Sequence, residues 1–538
     1  MPPALRLCDS LRRNLNQMSS VLDDVVEEIE PAHEIVSVMA GTKPSFLLSI
    51  DAGTSGVRAA LFDEHGKPTG VQVRNSRDHA AASDFAELDP DILVDEVIKT
   101  IDELFTYCYH SAGQLELIAV SAFWHSLLGV DADGRPTTRL LTWADTRAAH
   151  AANDLRAQFN EHEIHSRTGC RFHPSYWPAK LQWLKREQPA RFRDTRCWLG
   201  FAEYLCLRLF GETAISVSMA SATGLFNQRS CDWDWDFVDA LGISPDTLPQ
   251  VKERLDARLA DTFAFRWPAL AEARLVAVAG DGAANNIGAG CSTKDKIALM
   301  VGTSGAMRVA FRGEPPHVLA PSLWSYRASC DRVVVGGALS DGGGLYQWLI
   351  QSLNIDQVDL QDQLASIEPD AHGLTVLPFW SGERSTGWLT KATGGILGLR
   401  QQTTPVEIVR AVLESIAYRF ALIARDLEHI APDAAIVASG NALRSSAVWV
   451  QILADVLGRP LLFGGAAEAS IRGAALLALE AVGKIGSIEE ESVLVERVFE
   501  PDLTRHARYQ EGLARQEELY ERVFGHKEAQ NFKGTDNR

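Results

Sequence analysis

The stretch Asp51-Ala52-Gly53-Thr54-Ser55-Gly56, DAGTSG, stands between two short apolar runs, Phe46 to Ile50 before it and Val57 to Phe62 after it. A glycine-rich turn between two such strands gathers backbone N–H groups and two hydroxyls in one place, which suits a phosphate. The turn recurs. At Gly302 to Gly305 the chain reads GTSG again, between the runs Ile297 to Val301 and Met307 to Phe311. Two phosphate-sized hairpins about half a chain apart predict two related lobes facing one nucleotide.

Working outward, 538 residues of which 46% are hydrophobic can bury a large core. One core rarely grows past roughly 250 to 300 residues, so two domains are expected. A formal net charge of −18 argues against a nucleic-acid or anionic-membrane partner. No apolar run approaches the roughly 18 residues of a membrane helix, and the acidic first segment lacks a signal-peptide core. A cytoplasmic location is the expectation, and a homodimer is allowed for. The eight cysteines are scattered, with no CxxC and no histidine at ligand spacing. They read as buried free thiols.

Residues 1–44 read as a poorly ordered extension and 527–538 as a polar tail. The first lobe is expected over 45–291. It opens as an antiparallel meander, and no GxxxxGK[ST] string occurs, so the phosphate turn is not a Walker loop. Pro90 starts a helix whose apolar face is Leu93, Val97, Ile101 and Leu104. The strand Leu117 to Phe123 follows and leads into Trp124 and His125, with Trp143, Asp145 and Arg147 further on. Most tryptophans of this lobe are expected in the core. LVAVAGDGAANN, from Leu275, reads as a strand breaking at Gly280, Asp281 and Gly282 into a small-residue helix. The second lobe is expected over 292–526. Thr404, Pro405 and Glu407 announce a helix through a capping box, and the strand Ala435 to Ala438 precedes SGNALRSS.

Several residues carry chemistry. Asp51 beside a phosphate turn makes sense if Mg²⁺ lies between them, because that ion is held by one or two carboxylates plus phosphates. Thr54 and Ser55 can donate to phosphate oxygens, and Arg58 adds a fixed positive charge. The bland alternative is an ordinary hairpin, which the second GTSG disfavours. Asp281 stands at a strand end between glycines, as a general base for a substrate hydroxyl would, or as a helix N-cap; spacing leaves both open. Trp124 with His125 and Asp145 with Arg147 suit a polyol or sugar acid. A satisfied core histidine and a surface ion pair are the alternatives.

The ordered set DAGTSG with Arg58, WADTR at Trp143 to Arg147, AGDG at Ala279 to Gly282, GTSG at Gly302, and WVQILADVLGRP resembles the FGGY carbohydrate kinases. The run Gly394 to Glu414 is similar to that family's second signature, and the resemblance covers about residues 45–500. It implies an α/β fold of two actin-like (ribonuclease H-like) lobes, each a mixed sheet flanked by helices, with MgATP and sugar in the cleft between them. By that resemblance Asp51 holds Mg²⁺, together with Asp281, which is also the catalytic base. Thr54, Ser55 and Arg58 meet phosphate from the first lobe, Gly302 and Thr303 from the second, and Gly343, Gly440 and Asn441 lie against the nucleotide. Trp124, His125 and Asp145 contact the sugar.

The strings SAFWHSLLGVD, HPSYWPAKLQWL and PFWSGERSTGW are most similar to the gluconokinase branch, which implies D-gluconate phosphorylated at its terminal hydroxyl; xylulose, ribulose or another polyol is the alternative. Arg147, Arg171, Lys180 or Arg384 could face the carboxylate, and the sequence does not choose. Asn441 stands where the family has a second glycine, and Asp341 and Gly344 depart from its Asn-containing loop. Two other classes remain open, an actin-like ATPase switch without sugar transfer and a non-catalytic sugar sensor. The sensor would be expected to lack Asp51 or Asp281, and both are present.

Overall fold

The computed structural model of the chain describes residues 33–34, 45–76, 87–108, 114–465 and 468–525. The expectations for the extension and the polar tail fall outside these residues, save His33–Glu34, which pairs on the edge of the first sheet. The first hairpin is β1 (Leu47–Gly53) and β2 (Gly56–Phe62), followed by β3 (Pro68–Ser76). Helix α1 (Pro90–Cys108) leads to β4 (Leu117–Ala122), which runs parallel to β1. Much later β5 (Arg274–Gly280) joins β4 in parallel. The order across the sheet is β3-β2-β1-β4-β5, flanked by His33–Glu34 and Ala257–Arg258. Leu47, Leu48, Ile50 and Ala52 are all buried, because β1 is central and covered on both faces.

The second sheet repeats this plan. A hairpin of β6 (Lys296–Val301) and β7 (Gly305–Arg312) is followed by β8 (Trp324–Ser329) and β9 (Arg332–Leu339), with β9 antiparallel to β7. After the crossover, β10 (Ala435–Ser439) lies parallel to β6, β11 (Leu461–Gly464) parallel to β10, and β12 (Val495–Phe499) closes the edge. The order is β8-β9-β7-β6-β10-β11-β12. The chain therefore forms the two expected lobes, each a mixed sheet flanked by helices.

In the first lobe, α2 (Trp177–Glu187) lies among the inserted helices, and α3 (Asp281–Gly288) follows β5. In the second, α4 (Gly343–Ser352) follows β9 and α5 (Pro405–Leu427) spans the crossover. The α5 capping box is formed as read: Glu407 N–H donates to Thr404 Oγ1 at 3.3 Å, and the Thr404 N–H donates to Glu407 Oε2 at 2.7 Å. The short α6 (Asn441–Arg444) precedes α7 (Ala447–Leu457), which stops at left-handed Gly458. Helix α8 (Ala469–Ala481) follows β11 as α3 follows β5.

These two equivalent helices cross, and each reaches the other lobe. A Cβ on Gly288 of α3 would fall 1.8 Å from the Ala469 carbonyl oxygen, and one on Gly473 of α8 would fall 1.8 Å from that of Ala284. Backbone thus touches backbone. Beyond the crossing, α3 touches β7 and β8, while α8 lies on β1, β4 and β5. Ile471, Ala474, Ala475, Ala478 and Leu479 pack on Leu47, Ala60, Phe62, Leu117, Ala119 and Val276. Ser49 Oγ donates to the Ile471 carbonyl at 2.7 Å. A helix from the second half of the chain completes the core of the first sheet.

Trp177, Trp198 and Trp233 are buried, as expected of the lobe's tryptophans, while Trp235 is exposed. Cys170, Cys206 and Cys291 are buried, Cys197 and Cys231 are half-buried, and Cys330 is exposed in the tight turn between β8 and β9, beside Cys231 and Glu253. Among the described residues no helix is long and apolar enough to cross a membrane.

Gly473→Ala forces the crossing apart, since its clash is with backbone. It is expected to destabilise the fold by about 1 to 3 kcal/mol, read as a lowered transition in scanning calorimetry; an unshifted transition would contradict the close crossing.

Candidate active site

Strand register builds the first half of the site. Asp51 of β1 lies opposite Arg58 of β2 and, on its other side, opposite Ser121 of β4. Cross-strand neighbours lie within about 5.5 Å at Cβ. Arg58 Nη1 donates to Asp51 Oδ2 at 2.8 Å and Ser121 Oγ to Oδ1 at 2.7 Å. Arg58 Nε also lies 3.1 Å from Glu468 Oε2, just ahead of α8. Arg58, read from sequence as a phosphate contact, is therefore held by two carboxylates and fixes the orientation of Asp51. Thr54 and Ser55 occupy the turn tip, half-buried and exposed. Gly56 has φ of 148°, and a Cβ there would fall 2.2 Å from the Asn75 carbonyl oxygen, so only glycine closes this turn.

In the second lobe three turns are stitched together. The Gly343 and Gly344 N–H groups donate to the carbonyls of Gly302 and Thr303 at 2.8 and 2.9 Å. A Cβ on Gly343 would fall 2.6 Å from that of Ala442, and one on Gly440 2.2 Å from the Val301 carbonyl oxygen. Gly302, Thr303, Gly343, Gly440 and Asn441 are thus neighbours. The left-handed residue is Gly440, with φ of 107°, while Asn441 opens α6. Asp341 accepts from the Ser381 N–H at 2.9 Å and from Ser381 Oγ at 2.8 Å, so its carboxylate pins the loop after Phe379.

Asp281 opens α3 at the end of β5. Its flanking glycines are explained by one indole: a Cβ on Gly280 would fall 1.8 Å from Trp124 Nε1, and one on Gly282 2.4 Å from Trp124 Cζ3. Trp124 Nε1 donates to the Ser218 carbonyl at 3.0 Å, and its ring meets Tyr326 and Trp324 of β8 at centroid distances of 5.0 and 6.1 Å. Trp124, read as a sugar contact, is buried and shapes the Asp281 turn. Asp281 Oδ1 accepts from the Gly282 N–H at 2.8 Å, so helix-end bonding and a cleft position coexist. Burial pushes the Asp281 carboxyl up to about 6; Arg308 opposes that rise and the Asp51 charge adds to it.

His125 has φ of 67° and its Nδ1 lies 2.7 Å from the Ala222 carbonyl oxygen. A carbonyl only accepts, so Nδ1 carries the proton. Burial lowers the ring's pKa to about 3. The ring is neutral and Nε2 is an acceptor. Lys180 of α2 holds this bend, its Nζ donating to the His125 carbonyl at 2.5 Å and to that of Leu141 at 3.4 Å. Tyr176 and Tyr326 flank the imidazole edge-on at 5.0 and 5.6 Å, and their hydroxyls meet at 2.6 Å from opposite lobes. Asp145 accepts from Arg147 Nη2 at 2.5 Å, from its Nε at 3.0 and 3.1 Å, and from its backbone N–H at 3.0 Å.

Of the four cations the sequence left open, three are engaged elsewhere. Arg147 binds Asp145 and Glu87, Arg171 binds Glu161 at 2.8 Å and the Pro321 carbonyl at 3.0 Å while its buried Nε has no partner among the described residues, and Lys180 binds the two carbonyls above. Arg384 lies over the Trp143 ring at 4.7 Å, donates to the Leu339 carbonyl at 2.7 Å, and keeps a buried Nε without a partner among the described residues. One residue was missed. Arg308 of β7 is only 4% exposed, and its Nε and Nη2 are buried without partners among the described residues. Its signal was a lone charge inside the run Met307 to Phe311, read as simply apolar.

Two family models match the chain, both of the FGGY family of carbohydrate kinases: the N-terminal domain over residues 46–288 and the C-terminal domain over residues 297–482. The chain is 28% identical over 467 residues to a gluconokinase of Bacillus subtilis (strain 168), covering 84% of this chain and 90% of that one. It is 28% identical over 489 residues to a xylulose kinase of Escherichia coli (strain K12), covering 86% and 96%. The crystal structure of a gluconate kinase from Lactobacillus acidophilus superposes with a TM-score of 0.81 at 27% identity, covering 89% of this chain and 98% of that one.

Gly280→Ala must displace the Trp124 indole. It is expected to change the near-ultraviolet circular dichroism of the tryptophans and to cost about 1 to 3 kcal/mol in denaturant unfolding. A variant identical to the parent in both would show that Trp124 does not rest on the Asp281 turn.

Proposed function

We propose that this chain, which belongs to the FGGY family of carbohydrate kinases and so is a phosphotransferase acting on an alcohol, transfers the γ-phosphate of ATP to the terminal hydroxyl of D-gluconate. The observation that carries this reading is Asp281 at the head of α3, beside Trp124 and near Arg308 of the other lobe, with its carboxyl raised to about 6 by burial. A carboxylate so poised accepts a hydroxyl proton near neutral pH far better than an ordinary one. Support for a sugar acid comes from two poorly paired guanidinium groups, Arg308 near Asp281 and Arg384 near the neutral His125. Gluconokinases are among the similar relatives, at the same 28% identity as the xylulose kinase, so the choice of a sugar acid rests on these arginines.

The roles divide by lobe. The Gly302 and Gly343 turns of the second lobe, with Gly440 and Asn441, receive the nucleotide, and Thr54 and Ser55 meet its phosphates from the first. Asp51, oriented by Arg58 and Ser121, and Asp281 make a hard oxygen donor set whose charges already push on one another, which fits a divalent cation. Mg²⁺ held there would neutralise phosphate charge. His125 Nε2 accepts a sugar hydroxyl, and Asp281 takes the proton of the attacking one. Closure of the lobes keeps water from the phosphoryl group.

ADP release with ATP and Mg²⁺ against gluconate, xylulose, ribulose, glycerol and buffer tests the reading. Turnover with gluconate is expected; preference for a pentulose would reassign the substrate, and sugar-independent turnover would indicate an ATPase switch. Asp281→Asn should lower kcat by about 10² to 10⁴ with ATP still bound. Because the base must be deprotonated, kcat/KM should fall about tenfold per pH unit on its acid side, and Asp281→Asn should lose that limb. An acid limb that Asp281→Asn keeps would remove Asp281 as the base.

A further inference from the structure

This inference rests on the sugar-acid reading and names what would recognise the acid. Arg308 sits three residues past Gly305, roughly 10 Å along β7 from the phosphate hairpin at a strand rise of about 3.3 Å per residue. Its side chain has a built place. On one side the opposing residue of β9 is Gly336, where a Cβ would fall 2.6 Å from Arg308 Cγ; on the other is Gly282, where a Cβ would fall 2.3 Å from Arg308 Nη1 and 2.4 Å from Trp124 Cζ3. The arginine therefore threads between glycines of both lobes to end beside Trp124 and Asp281.

A guanidinium buried with two nitrogens unpartnered carries a large desolvation cost unless an anion meets it. Asp281 attracts it but makes no hydrogen bond to it. Arg384 adds a second, pinned over Trp143 and repelled by the first. Arginine presents a planar fork that matches a carboxylate with two parallel bonds.

The geometry points to Arg308, with Arg384 beside it, as the receiver of the carboxylate of a sugar-acid substrate, and so as the residue that selects aldonic acids over neutral polyols. No neutral sugar satisfies the two orphaned nitrogens as well, because neutral hydroxyls give weaker bonds than an ionised acceptor.

The test measures dissociation constants of D-gluconate and of ATP by calorimetry, and gluconate kinetics, in the full chain and in Arg308→Met. Gluconate affinity is expected to fall at least about 30-fold, the loss for a truncated charged partner, and to exceed any loss of ATP affinity at least tenfold. Arg308→Lys should recover part of it, keeping the charge without the fork. Should Arg308→Met not fold, Arg384→Met is read the same way. Equal losses of gluconate and ATP affinity would assign the arginine to phosphate and overturn the inference, as would gluconate affinity within threefold of the parent. A parent protein that neither binds nor phosphorylates gluconate fails the kinase reading itself, a different result from a parent that does both while Arg308→Met keeps its affinity.

Discussion

The structure depends on a contact without side chains. Where α3 crosses α8, Gly288 and Gly473 let two helix backbones meet, each glycine facing a carbonyl of the other helix. Each of these helices follows the equivalent strand of its own lobe and leans on the sheet of the other. The crossing is consequently a shared axle, and whatever moves one lobe is transmitted to the other at this point. It is also where Asp281 begins α3 and where Glu468, just ahead of α8, reaches Arg58. Asp281, the proposed base, and the hairpin proposed to meet phosphate are thus tied to the same pair of helices.

Around that axle the charges are distributed with a clear asymmetry. The first lobe supplies carboxylates, Asp51 and Asp281, one held by register partners and the other raised by burial. The second lobe supplies Arg308 and Arg384, which reach toward the first between glycines or over a tryptophan. Trp124 stands between the two sets, its ring against the Asp281 turn on one side and Tyr326 of the second lobe on the other. Bringing the lobes together therefore completes an electrostatic pattern that neither contains alone.

Much of this was legible in the sequence for identifiable reasons. The two GTSG hairpins, the capping box at Thr404 and the strand break at Gly280 are local signals, and each falls where the spacing put it. What could not be read was partnership. Arg58 is the right residue in the right turn, yet its guanidinium is committed to Asp51 and Glu468, the latter more than 400 residues away. Trp124 and Asp145 lie beside the cleft, but one serves the Asp281 turn and the other grips Arg147. Arg308 was hidden inside a β-pattern because a threading path between Gly336 and Gly282 exists only once both lobes are assembled.

The placement of α8 has a consequence for how the chain is made. The first lobe's sheet is complete when β5 leaves the ribosome, but the face formed by Leu47, Ala60, Phe62, Leu117, Ala119 and Val276 is covered only by a helix ending at Ala481. On the order of 200 further residues must be translated first, about 10 to 40 s at ordinary rates of synthesis. During that interval an oily surface faces solvent or a chaperone. The nascent first lobe is therefore a waiting intermediate, and the pace of translation through the second lobe sets how long it waits.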